Sequence, residues 1–143
     1  MSTNPYEQYR KAGISTASSG RLILMLYDGA VRFLKEAKNG LSEKKLDVAN
    51  NNIIKAQNIL TELMLSLNMD VGEIAQNLYS LYDFMNRELI KANAKKDEKP
   101  IDNVIKMLVE LRSAWEVAVR ETGEKIIKKD PEKKIPTLGD IVT

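Results

Sequence analysis

The sequence predicts an all-α protein, an antiparallel up-down four-helix bundle with a short N-terminal helical segment and a flexible C-terminal tail. Apolar residues recur at helical spacing in four successive segments of about 20 to 28 residues, each about 30 to 42 Å long as a helix. The connections between the segments are short, which favours antiparallel neighbours. The alternation of apolar and polar residues that is typical of strands is missing.

The first long helix is predicted to follow an N-cap at Ser18 and to run to about Asn39, with Gly40 as its stop. Its run 22–34 is apolar except for three residues, Asp28, Gly29 and Arg32. Because a surface helix needs an apolar stripe only about 100° wide, this run predicts a helix buried from more than one side or one that binds a partner. A membrane-spanning helix needs about 20 apolar residues, so no membrane insertion is expected.

The other three helices each present one apolar seam. Ser42 is predicted to cap the second helix, Asp70 and Glu73 to form a capping box before the third, and Pro100 to lie in the first turn of the fourth, after a loop over 93–99. The predicted seams are Ala49, Ile53, Ala56, Leu60, Leu63 and Leu67 in the second helix, Ile74, Leu78, Leu81, Met85, Leu89 and Ala92 in the third, and Ile101, Val104, Leu108, Leu111, Trp115 and Ala118 in the fourth. Ala75, Tyr79 and Tyr82 are predicted to widen the apolar face of the third helix.

The chain is expected to form one domain over residues 1–128, followed by a flexible tail over residues 129–143. Pro131 and Pro136 interrupt any helix in that last stretch. No signal peptide or anchor is recognisable, so a cytoplasmic protein is expected.

Two residue types are absent, and their absence argues against an enzyme. The 143-residue chain contains no cysteine and no histidine, which excludes thiolate nucleophiles, Ser-His-Asp catalysis and the common zinc and di-iron sites. No cofactor and no metal are therefore expected. Asp28 and Asp83 are the carboxylates on otherwise apolar faces, and both are interpreted as satisfied polar residues near a helix surface. The net charge of +2 gives no reason to expect nucleic acid.

More apolar residues are present than four seams require. Leu24, Met25, Met64 and Met107 are among the surplus. Methionine adapts to varied apolar partners, so the surplus predicts a groove for an amphipathic helix. Three alternatives stay open: methionines that fill gaps in the core, a permanent homodimer interface, and a helical-bundle enzyme.

Several segments resemble the flagellin export chaperones of the FliS family, in order and at the right separations. They include Asn4-Pro-Tyr-Glu-Gln-Tyr9, Leu22-Ile-Leu-Met-Leu-Tyr-Asp-Gly-Ala30, Ile53-Ile-Lys-Ala-Gln57, Leu81-Tyr-Asp-Phe-Met-Asn-Arg87, and Leu111-Arg112 with Trp115. The resemblance covers about residues 4–121. Two departures are mild: Ser19 stands where the family often has proline, and Arg21 where it often has an acidic residue.

The resemblance implies a cytosolic export chaperone. Such a protein binds the disordered C-terminal segment of flagellin, prevents its premature polymerisation and supports its delivery to the flagellar type III secretion apparatus. The residues that the resemblance implies as flagellin contacts are Tyr6, Tyr9, Ile14, Leu22, Leu24, Met25, Tyr27, Tyr79, Tyr82 and Met85. For Tyr79 and Tyr82, packing in the core is the alternative to direct contact with flagellin.

Overall fold

The computed structural model describes residues 19–121, which form four α-helices. They are α1 (Ser19–Ser42), α2 (Leu46–Ser66), α3 (Glu73–Lys95) and α4 (Glu98–Glu121), and a short 3-10 turn, Met69–Val71, joins α2 to α3. Each helix packs against the next, and α4 packs against α1, which is the arrangement of an up-down bundle. The predicted all-α bundle is thereby confirmed. The expected N-terminal segment and C-terminal tail lie outside the described residues.

The core runs the length of the bundle and uses most of the predicted seam positions. The seam of α2 is buried as predicted, and α4 buries Ile101, Val104, Leu108 and Trp115. Helix α1 lies between α2 and α4, and Leu24 and Val31 pack against the core from its edge. The surplus of apolar residues in α1 therefore reflects burial from two sides. No helix within residues 19–121 is both long and apolar enough to cross a membrane.

Gly40 does not end the first helix, contrary to the prediction. Helix α1 continues through it to Ser42, which is consequently not the cap of α2. A Cβ atom on Gly40 would lie 2.8 Å from the backbone nitrogen of Ala49 and 3.1 Å from the carbonyl oxygen of Lys45. Glycine is needed here because the start of α2 passes directly against α1. The chain turns instead at Lys44, which has a φ of 60°.

The predicted capping box before α3 is also wrong. Glu73 is the first residue of α3 rather than the third, so its carboxylate is not placed to complete such a box. The side chain of Asn68 caps the 3-10 turn instead, and accepts a hydrogen bond of 3.1 Å from the Asp70 backbone N–H. Gly72 then connects the turn to α3 with a φ of 84°, a conformation that favours glycine.

The seam of α3 is displaced at its start. Ile74 is 50% exposed, and Leu81 is only partly buried. The buried residues of α3 are Ala75, Leu78, Tyr82, Met85, Leu89 and Ala92. They repeat at intervals of three and four, so the phase of the helix turns Ala75 inward and Ile74 outward.

Only two residues separate α3 from α4, fewer than the predicted loop over 93–99. Lys96 adopts the left-handed conformation that ends α3. The Asp97 carboxylate accepts a 3.0 Å hydrogen bond from the Lys99 backbone N–H, as an N-cap does. Pro100 lies in the first turn of α4, as predicted. This tight connection places α3 and α4 side by side.

Candidate protein-binding surface

Polar contacts fix the register between the antiparallel helices α1 and α4. A contact that lies a given number of residues later in α1 lies the same number of residues earlier in α4. The contacts are Asp28 with the Arg112 guanidinium (2.5 and 3.3 Å), Lys38 with Asp102 (2.6 Å) and the Ser42 hydroxyl donating to Glu98 (3.5 Å). Arg112 also binds Glu116 at 2.7 Å. Asp28 is thus a satisfied polar residue, as predicted.

Helices α2 and α3 are joined by side-chain amides instead of charges. The Asn93 amide donates to Asn50 over 2.6 Å, and the Gln57 amide donates to Asn86 over 3.0 Å. The two pairs are seven residues apart on both helices, as antiparallel packing requires. A further step of seven leads to Met64 and Tyr79, so the polar seam gives way to apolar side chains at this end of the bundle.

That end of the bundle carries a group of exposed apolar residues. It is formed by the N-termini of α1 and α3 and the C-termini of α2 and α4. Five large apolar residues at this end are each between 44% and 56% exposed: Leu65, Met69, Ile74, Tyr79 and Val117. We call the surface that they form the apolar end. The remaining exposed apolar residues are spread along the helices, and the opposite end carries exposed lysines 44, 45, 95, 96 and 99. Exposed apolar residues grouped in one region often bind other proteins, so this end is the candidate protein-binding surface.

The predicted contact residues fall into three groups. Tyr79 belongs to the apolar end, and Leu22, Leu24 and Met25 lie half-buried in the first two turns of α1, at the same end. Tyr27, Tyr82 and Met85 are buried in the core beneath. Tyr6, Tyr9 and Ile14 lie outside the described residues. The sequence reasoning missed Leu65 and Met69, although both are apolar residues off the predicted seam of α2.

A hydrogen-bonded tyrosine pair lies in the core between α1 and α3. The hydroxyl oxygens of Tyr27 and Tyr82 are 2.6 Å apart, and the rings meet edge to face at 82° with their centroids 6.3 Å apart. Both residues are at most 1% exposed, and Trp115 of α4 is also buried beside them. Burial raises the pKa of Tyr82 to about 12, although hydrogen bonding with Tyr27 and Trp115 lowers it in part. Burial, together with the adjacent Tyr82, also raises the pKa of Tyr27.

The tyrosine pair should make stability fall at alkaline pH. Since both pKa values are higher in the folded state, the neutral phenols contribute stability that is fully present below the unfolded pKa of about 10. That stability is lost as the pH rises toward the folded pKa of Tyr82, about 12. Above pH 10 we expect a loss of up to about 2–3 kcal/mol per pH unit from the two tyrosines together. Urea unfolding measured at several pH values tests this.

The control for that measurement is the double variant Tyr27→Phe/Tyr82→Phe. It retains both rings and every lysine. The additional loss of stability that the wild type shows above pH 10 therefore comes from the two phenol groups. Parallel stability profiles for the two proteins above pH 10 would contradict the pKa shifts.

The polar groups of the described helices serve mainly to hold the helices together. No group of three or more acidic side chains suited to a metal ion occurs within residues 19–121.

Comparisons with known proteins give a consistent result. The sequence model of the family described as flagellar protein FliS matches residues 2–122. The chain is 36% identical over 117 residues to the flagellar secretion chaperone FliS of Bacillus subtilis, covering 82% of this chain and 87% of that protein. It is 35% identical over 115 residues to the same chaperone of Vibrio cholerae, with 77% and 85% covered. For the Salmonella typhimurium protein the identity is 36% over 107 residues, with 73% and 79% covered.

Proposed function

The chain belongs to the flagellar protein FliS family, whose named members are secretion chaperones and not enzymes, and from that membership we propose that its client is flagellin. The protein binds the C-terminal disordered segment of flagellin in the cytoplasm. Binding prevents premature polymerisation and supports delivery of flagellin to the flagellar type III secretion apparatus.

The apolar end is the observation that carries this proposal. A client segment that wrapped around this end and covered its five half-exposed side chains would remove apolar surface from water, which contributes roughly 1 kcal/mol for each of them. Ordering a disordered segment costs about 2–5 kcal/mol. The apolar end can offset that cost and still leave a complex that releases its client.

The predicted contact residues take two roles in this proposal. Leu22, Leu24, Met25 and Tyr79 contact flagellin directly, since part of each side chain is accessible. Tyr27, Tyr82 and Met85 support these residues from the core. We include Tyr6, Tyr9 and Ile14 among the direct flagellin contacts, as the family resemblance implies.

Removal of the flagellin C-terminal segment tests the proposal. Full-length flagellin should form a stoichiometric complex with this protein, and flagellin without its C-terminal segment should lose measurable binding, because the amphipathic segment supplies the apolar contact. Isothermal titration of both flagellins into the protein measures the difference. Equal binding of the two flagellins would refute the proposal.

Self-association is the competing use of the same apolar surface. A homodimer that covered the apolar end would also remove these side chains from water. Light scattering after size exclusion, with and without flagellin, separates the two cases. A dimer that flagellin leaves undisturbed would favour self-association over the chaperone role.

A further inference from the structure

The Tyr27–Tyr82 hydrogen bond joins two helices that are not neighbours in the bundle. Helix α1 packs against α2 and α4, and α3 packs against the same two helices. The two tyrosines therefore meet across the diagonal, where their hydroxyls are 2.6 Å apart. Trp115 of α4 is buried beside the pair.

A diagonal contact does what contacts between neighbours cannot do. Four helices joined only along the sides of a square can shear toward a rhombus, because each side keeps its length while the angles change. The ion pairs of α1 with α4 and the amide pairs of α2 with α3 are contacts of this kind. A hydrogen bond along the diagonal fixes the angles as well.

The tyrosine pair also lies directly under the proposed client surface. Tyr27 is one helical turn from Leu24, and Tyr82 is one turn from Tyr79. A change in the separation of α1 and α3 at this level would therefore move both sides of the surface. Residues that hold a binding surface in its bound shape reduce the cost of binding.

We propose that the Tyr27–Tyr82 hydrogen bond, with Trp115 beside it, is a positioning pair that fixes the separation of α1 and α3 beneath the apolar end, so that the empty protein already has the shape that binds flagellin. This inference rests on the proposed function. It assigns to two buried residues an effect on client affinity that is separate from their effect on stability.

Three variants separate the two effects. Tyr82→Phe and Tyr27→Phe each retain the ring and remove one hydroxyl, so the other hydroxyl loses its tyrosine partner and keeps only Trp115 beside it. The double variant Tyr27→Phe/Tyr82→Phe removes both hydroxyls, so no buried hydroxyl of the pair is left unpaired. Ile101→Val is the matched control: Ile101 is fully buried in α4, at the opposite end of the bundle, and its shortening destabilises the protein without touching the diagonal.

The measurements are urea unfolding and titration with a tryptophan-free flagellin C-terminal peptide. Each single tyrosine variant should weaken peptide binding about tenfold. The double variant should be more stable than either single variant, but it should bind the peptide no more tightly than they do. Ile101→Val should bind within about twofold of the wild type at a comparable loss of stability.

Trp115 provides a second readout, since it is the single tryptophan of the chain. Its emission should change little when the peptide binds to the wild type, because the shape is preset. In Tyr82→Phe the emission of the empty protein should differ from that of the wild type, and peptide binding should restore it.

The outcomes distinguish this inference from the proposed function. Folded tyrosine variants that bind the peptide as tightly as the wild type would overturn the inference and leave the chaperone role intact. Affinity that recovers together with stability in the double variant would also overturn it, because the tyrosines would then act only through stability. A wild type that does not bind the peptide would refute the proposed function, and the inference with it.

Discussion

Replacing Leu65 and Tyr79 together with aspartate is expected to weaken flagellin binding by about a hundredfold or more. The two side chains are 53% and 46% exposed at the apolar end. Covering each by the client contributes about 1 kcal/mol, and a buried unpaired carboxylate adds a larger penalty in the variant. A combined loss of at least about 3 kcal/mol corresponds to a hundredfold or more in the dissociation constant. Isothermal titration with the flagellin C-terminal segment measures it.

The same two helices offer a matched control. Ile54→Asp/Ile90→Asp also adds two carboxylates, at positions that are 40% and 53% exposed and lie away from the apolar end. This variant should bind flagellin within about threefold of the wild type, since a change of that size is under 1 kcal/mol. If the control loses as much affinity as Leu65→Asp/Tyr79→Asp, the client does not bind specifically at the apolar end.

Gly40→Ala is expected to destabilise the protein by about 1–3 kcal/mol, although alanine is the better helix former. Helix propensity alone would favour alanine by about 1 kcal/mol. The new methyl group, however, would lie 2.8 Å from the backbone nitrogen of Ala49, and a backbone atom cannot yield as a flexible side chain can. Separating α1 from the start of α2 is therefore the only relief, at the cost typical of overpacking. Urea unfolding gives the sign directly.

The control for this test is Asn51→Ala, at an exposed position of α2. It should stabilise the protein by a few tenths of a kcal/mol, as propensity predicts where no neighbour interferes. Gly40→Leu should be worse than Gly40→Ala, because its larger side chain needs a wider separation of the same two helices. A Gly40→Ala variant more stable than the wild type would refute the close approach.

The seam of α2 and most of the seam of α4 could be predicted because apolar residues repeat there at intervals of three and four. In α3 the repeat has two interpretations near its start: the pattern favours the larger Ile74 for the seam and Ala75 for its edge, whereas the helix turns Ala75 inward and Ile74 outward. Gly40 shows a different limit. Glycine after an apolar run is typical of a helix end, and only the position of the Ala49 backbone shows that it serves close packing instead.

The candidate site could likewise be predicted where the signal lies within one helix, and not where it depends on how the helices pack together. The excess of apolar residues in α1 pointed to Leu24, which packs at the edge of the core, and to Met25, which is half-buried. Leu65 lies between the seam residues Leu63 and Leu67, so the helical repeat already places it on the outer face. Only the bundle shows that it lies at the same end as Tyr79. The tyrosines of the buried pair are 55 residues apart in the sequence, and only the bundle brings them together.

The two polar seams of the bundle differ in their response to ionic strength. Helices α1 and α4 are joined largely by charges that are partly open to solvent, whereas α2 and α3 are joined by neutral amides. Exposed ion pairs contribute at most about 1 kcal/mol and are screened as salt is added, with a Debye length of about 3 Å at 1 M. Neutral amide pairs are not screened in this way. Concentrated salt therefore weakens the polar contacts of α1 with α4 and leaves those of α2 with α3 unchanged.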